Sequence, residues 1–277
     1  MVFTFSRGLI FCCLISALPT IHVCSQEASF GLEIEAEKSI HFWEPIEVSV
    51  QLINHNANQQ TILAPPQGRV FIRKQGERDW RRVGANTPQG VPMYKGQFKN
   101  TLEPGDTLVT FLLVRPLQFY STGQKKEYNF EPGEVYEIKF AYRSDPYNTE
   151  FPYQAVSTFS TMGKAGDEDF LLLDEIEQPF FLFEPSYGLA GDEQNMAACQ
   201  KIIAQDSPTL RVWAEFYLYM QEYRVFAQKS RDRKIPQEEK RRLYDIAKEK
   251  HFEFKAACDS PYIQEVLKQR FLYAWLL

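Results

Sequence analysis

Between Ile46 and Leu52 the chain alternates without a break: Ile46, Val48, Val50 and Leu52 are apolar, and Glu47, Ser49 and Gln51 between them are polar. Successive side chains of a strand point to opposite faces, so this period of two builds a strand with one buried and one wet face. Leu32, Ile34 and Ala36 alternate with Glu33, Glu35 and Glu37 just upstream, and the two segments form a natural opening pair. Val70–Lys74, Trp80–Val83, Leu108–Val114 and Val135–Tyr142 have the β-branched and aromatic enrichment of further strands. In the last of these, Tyr136, Ile138, Phe140 and Tyr142 share one face. The turn Gln75-Gly76-Glu77 is expected to join two strands as a hairpin.

Glu103-Pro104-Gly105-Asp106 and Glu131-Pro132-Gly133-Glu134 repeat one device, a Pro-Gly turn that launches a strand. Proline presets φ at the second turn position and glycine accepts the positive φ that follows. Short strands with such turns, and no long helical pattern before residue 166, predict an antiparallel β-sandwich over residues 26–161. That segment holds no cysteine, so apolar packing alone must hold it.

Glu44-Pro45-Ile46-Glu47-Val48, then Leu52-Ile53-Asn54, then the two Pro-Gly turns resemble the immunoglobulin-like sandwiches of many exported bacterial proteins. More loosely, they are similar to the small sandwich of the BsuPI-type proteinase inhibitors. The resemblance covers residues 30 to 160 and implies a fold; it transfers no functional residue.

Residues 162–191 read as a connector, with Gly166-Asp167-Glu168 positioned to start a short acidic helix. Its acidic residues lack the spacing of a calcium loop. The dense apolar run Pro179–Phe183 is expected to pack between the flanking units.

From 192 to 277 the period changes to that of amphipathic helices. A first helix over Asp192–Gln205, with Met196, Cys199, Ile202 and Ile203 on one face, stops at Asp206-Ser207-Pro208, and a second runs to about Gln228. The same grammar returns 53 residues later: a helix over Gln237–Cys258, then Asp259-Ser260-Pro261, then a helix to the end. Serine as N-cap followed by proline restarts a helix, because the N–H that proline lacks would be unpaired there. Two helical hairpins of this kind resemble a tetratricopeptide-type arrangement, which implies stacked helix pairs. The period is longer than that family's, and two hairpins are too few for a free-standing solenoid. The helices are therefore expected to lean on the sandwich or on a partner. The apolar end Phe271–Leu277 docks internally or serves as an interface.

The N-terminus carries a third pattern. One basic residue, Arg7, precedes an uncharged apolar run from Gly8 to Ala17; Pro19 interrupts it, and Val23-Cys24-Ser25 offers small residues for cleavage before Gln26. Residues 1–25 therefore read as a cleavable signal peptide, in preference to a membrane anchor or a lipoprotein acylated at Cys24. The expected destination is periplasmic, cell-surface or secreted. Cys199 and Cys258 alone survive cleavage. In stacked hairpins their axial offset would be about 9 Å, beyond the roughly 7 Å Cα limit of a disulfide, so two buried free thiols are expected.

The net charge of −5 is unevenly spread: acidic residues outnumber basic ones 23 to 15 over Glu27–Gly191, whereas Asp192–Leu277 has 15 basic and 13 acidic. Neither half has the basic field of a nucleic-acid binder. The basic stretch Lys229 to Arg242 is interrupted by Asp232, Glu238 and Glu239 and reads as a solvated surface. No zinc-ligand pair, nucleophile elbow, phosphate loop or Cys-x-x-Cys occurs. His41 with Trp43 and Glu44 is the one imaginable constellation, read here as structural. No catalytic, cofactor-binding or metal residue is nominated, and no cofactor is expected. The leading expectation is an exported, non-catalytic binding or scaffold protein whose partner is another protein. The alternatives are a proteinase inhibitor using the loop Ala85–Asn100, and a carbohydrate-binding module using Trp43 or Trp80.

Overall fold

The computed structural model describes residues 30–63, 68–86, 99–116, 129–143, 150–164, 166–175, 182, 193–207 and 209–274. The signal segment 1–25, most of the loop 85–100, all of Pro179–Phe183 except Leu182, and residues 275–277 lie outside them. Architecture is mixed α+β, with strands first and helices after.

One sheet is four-stranded, in the order β1 (Phe30–Ala36), β3 (Ile46–Asn54), β9 (Thr107–Val114), β7 (Ala85–Asn86). The other is five-stranded: β2 (Ser39–His41), β11 (Tyr153–Met162), β10 (Val135–Tyr142), β5 (Gly68–Lys74), β6 (Arg81–Val83). A small ribbon pairs β4 (Gln60–Leu63) with β8 (Lys99–Leu102). Every pairing is antiparallel except β2 with β11. The opening pair forms with Ile34 opposite Val50 and Leu32 opposite Leu52. Gly76, at φ +92°, turns the chain from β5 towards β6.

Alternation dictates the core. Ile46, Val48, Val50 and Leu52 on β3, and Tyr136, Ile138, Phe140 and Tyr142 on β10, are all buried in one cluster. Phe130, Tyr136 and Phe159 stack and edge against one another at 5.3–5.5 Å between ring centres, adding aromatic contact to area burial. Strand β11 has no apolar run, because its inward positions include the small Ser157 and Thr161. Ser157 lies where β1 closes over the other sheet, and its Oγ accepts the Ala36 N–H at 3.3 Å.

A buried polar side chain pins each Pro-Gly turn. Asn54, fully buried, donates from Nδ2 to the Leu102 carbonyl at 2.9 Å and the Glu103 carbonyl at 3.1 Å, while Gly105 N–H donates to the Asn54 carbonyl at 2.8 Å. Thr161 donates from Oγ1 to the Glu131 carbonyl at 2.5 Å and accepts the Glu134 N–H at 3.0 Å. Gly105 and Gly133 stand at φ +82° and +78°, as the turns require.

Helix α1 (Glu168–Glu175) follows the sandwich; α2 (Glu193–Ala204), α3 (Arg211–Arg231), α4 (Gln237–Ala257) and α5 (Pro261–Ala274) complete the described elements. The two Asp-Ser-Pro motifs act alike. Ser207 Oγ accepts the Leu210 N–H at 3.0 Å, and Ser260 Oγ accepts the Ile263 N–H at 3.1 Å, each satisfying an orphan donor of a helix start. α3 packs against both α2 and α4, and α5 packs on β9 of the sandwich. That last contact explains an anomaly: Leu112, Leu113 and Val114 are all buried although they alternate between faces. A strand covered on both sides reads as a continuous apolar run.

Candidate functional site

Helix α3 buries Trp213, Ala214, Phe216, Tyr217 and Met220. Leu218, Glu222, Val225 and Lys229 recur at helical spacing along another stripe, and α2 and α4 flank that stripe without covering it. The result is a groove of about 460 Å³, with α3 as its floor, Met196 and Gln200 of α2 on one wall, and Leu243, Ile246, Ala247 and Lys250 of α4 on the other. Val225 is 45% exposed and Ile246 43%. Isolated exposed apolar residues are ordinary, but these two line one concavity.

Gln221 also lines this groove and is only 5% exposed, yet neither its Oε1 nor its Nε2 has a hydrogen-bond partner. Burying an unpaired amide costs roughly 1–3 kcal/mol, so such groups are rare in native interiors. Nearby Tyr219 and His251 do satisfy each other, with the Tyr219 hydroxyl 2.8 Å from His251 Nδ1. Burial holds His251 below the usual imidazole range, and the charge of Lys255 adds to this. At the rim, Lys250 pairs with Glu222 at 2.5 Å, and Lys229 adds a second cation.

The residues singled out in the sequence are placed as follows. His41 and Trp43 stack at 4.8 Å, and Glu44 Oε2 accepts the His41 backbone N–H at 2.6 Å, while Glu44 N–H donates back to the His41 carbonyl at 2.9 Å. These contacts close the turn between β2 and β3. Burial pushes the Glu44 carboxyl up to about 7; the His41 N–H opposes this, and the charges of Glu37 and Asp169 reinforce it. The carboxyl's partner is a backbone amide, so the three residues do not form a base–orienter relay. Among the described residues, no group of three or more His, Cys, Asp or Glu could hold a metal ion. Trp43 is wholly buried, and the Trp80 ring has Arg73 and Lys139 cations 4.4 Å from its centre.

Cys199 and Cys258 are both buried free thiols. Burial pushes the Cys199 thiol up to about 12 and raises Cys258 as well. Residues 87–98 of the inhibitor-loop candidate lie outside the described residues; its ends enter β7 and β8. Among the described residues, no helix is long and apolar enough to cross a membrane.

Sequence reasoning missed two features. Gln221 gives no local signal, since glutamine is an ordinary helix former. Glu47 belongs to the polar face of β3, yet its carboxylate receives the Ser260 hydroxyl and, at 3.0 Å, the Tyr262 N–H at the start of α5. The apolar run through Leu113, its partner across β9, is the signal that this outer face would be covered.

No protein-family model matches the chain, and no curated protein matches it. Among solved structures, a β-glucosidase from Erythrobacter marinus aligns at 20% identity and TM-score 0.29, over 48% of this chain and 15% of the glucosidase. The CARDB domain of a Pyrococcus furiosus protein aligns at 14% identity and TM-score 0.25, over 49% of this chain and 94% of that one. The archaellum periplasmic stator protein FlaG of Sulfolobus acidocaldarius aligns at 18% identity and TM-score 0.24, over 47% and 99%. The chain thus spans a small part of the glucosidase. With TM-scores this low, none of these likenesses bears on fold or function, and the sandwich rests on its own strand pairing.

Proposed function

We propose that this chain is an exported, non-catalytic binding protein, in which an immunoglobulin-like sandwich carries a helical unit that presents the α3 groove to another protein. The observation that carries the reading is the groove itself: exposed Val225 and Ile246 over a floor that buries the unpartnered Gln221 amide. Sites that bind ligands combine apolar walls with a few placed polar groups. The export component rests on the sequence of residues 1–25, and the non-catalytic component on a sequence that offers no nucleophile–base pair or metal-ligand motif.

The test is capture from extracts and extracellular fractions by the immobilised protein, compared with a Val225→Glu/Ile246→Glu variant of unchanged circular dichroism. A protein retained by the wild type and lost by the variant supports the reading. Equal retention by both sinks it.

A further inference from the structure

We infer that the groove takes an extended, apolar peptide segment, and that the side-chain amide of Gln221 pairs with the N–H and C=O of one residue of that peptide. The inference rests on the groove being the binding surface and specifies what occupies it. Gln221 holds one acceptor atom and one donor atom, both unpartnered and both closed off from solvent in a side chain 5% exposed, so the pairing requires its amide to turn into the groove as the ligand enters. The complement must present a donor and an acceptor side by side. A residue in an extended chain does this, since its N–H and C=O point to the same side, as in the hydrogen-bonded pairs of antiparallel sheets. A helical ligand has already spent these groups on its own backbone. A purely apolar ligand would leave the amide as costly as before.

The walls agree with that geometry. An extended segment sends alternate side chains to one side, and Leu218 and Phe226 of the α3 floor, with Leu243 and Ile246 of the α4 wall, supply apolar surface for them. About 460 Å³ accommodates a ligand of ordinary pocket size, hence a few residues of peptide and not a folded domain. With Lys250 engaged by Glu222, Lys229 is the second rim cation; Glu239 already shares its field, so it gives a modest preference for an acidic residue at one end of the segment.

The experiment uses the purified chain and capped, fluorescently labelled peptides of alternating leucine and serine ending in glutamate, read by fluorescence polarisation. Each peptide is also made with its central amide N-methylated, which removes the donor. Gln221→Leu is the test variant. It removes a buried unpaired amide, so it is expected to fold and to melt no lower than the wild type. The wild type should bind the unmodified peptide and lose about tenfold on N-methylation, as for one lost hydrogen bond. Gln221→Leu should bind about tenfold more weakly and show no N-methylation effect. Equal affinity of wild type and Gln221→Leu, or an N-methylation effect that survives in the variant, overturns the pairing. If no peptide binds while capture still depends on Val225 and Ile246, the peptide inference fails and the binding reading stands. If peptide binding ignores the Val225→Glu/Ile246→Glu variant, both fail.

Discussion

The carboxylate of Glu47 in β3 accepts the backbone N–H of Tyr262 in α5 at 3.0 Å, joining residues 215 positions apart. Together with the Ser260 hydroxyl on the other oxygen, this places a half-buried acid at the N-terminus of a helix, where its unpaired N–H groups and dipole favour negative charge. Burial still raises the Glu47 carboxyl above its ordinary range, so desolvation outweighs the two hydrogen bonds.

Ser260→Ala is therefore expected to cost more than Ser207→Ala. Both remove a hydroxyl that accepts an N–H just ahead of or within a helix's first turn, worth about 1 kcal/mol by analogy with an N-cap, but Ser260 also donates to Glu47. Urea unfolding of the two variants measures the difference. Amide exchange in α5 should accelerate in Ser260→Ala alone, and equal losses with no change in exchange would refute the joint.

Glu44 makes stability pH-dependent in an unusual direction for a carboxyl. Its folded value, about 7, lies above the unfolded 4.5, so between those values the folded state holds the extra proton. Its contribution is complete below pH 4.5 and is lost as pH rises through about 7. His251, lowered by burial, acts with the opposite sign below its ordinary value near 6.5. Glu44→Gln should remove the carboxyl component. The stability difference between variant and wild type, followed by thermal melts from pH 4 to 8, is expected to favour the variant increasingly as pH rises.

Asn54 and Thr161 hold the two Pro-Gly turns from within. Asn54→Ala leaves several buried backbone groups without partners and should cost about 2–4 kcal/mol. Thr161→Val keeps the volume and should cost about 1–2 kcal/mol. Chemical denaturation checks both. A loss under about 0.5 kcal/mol for Asn54→Ala would show that water replaces the network.

Both thiols should resist a water-soluble alkylating reagent in the folded, unreduced protein, since burial keeps them protonated and covered. After denaturation without reductant both should label, and mass spectrometry of the product counts them. Absence of label on either after unfolding contradicts free thiols.

Much of this architecture is legible locally. The alternation at 46–52 and 135–142 names the buried faces, the Pro-Gly pairs name turns with positive φ, and each Asp-Ser-Pro names a helix start. These succeed because side-chain period, φ preference and capping depend on a few neighbouring residues. Strand β11 escapes the same reasoning: Ser157 and Thr161 face inward because another strand and a turn approach them, and neither approach is written in residues 153–162.

What the sequence by itself determined is thus the class of each segment, the inward-facing residues of its main strands, and the points where the chain turns or caps. Tertiary packing alone decided that α5 is the element covering the outer face of β9, that Glu47 meets Tyr262, and that Gln221 is buried without a partner at the floor of a groove. The physical reason is that burial and pairing of a polar group depend on what distant segments bring to it. An outward-facing glutamate and an ordinary helical glutamine look the same in sequence whether water or another helix lies beside them.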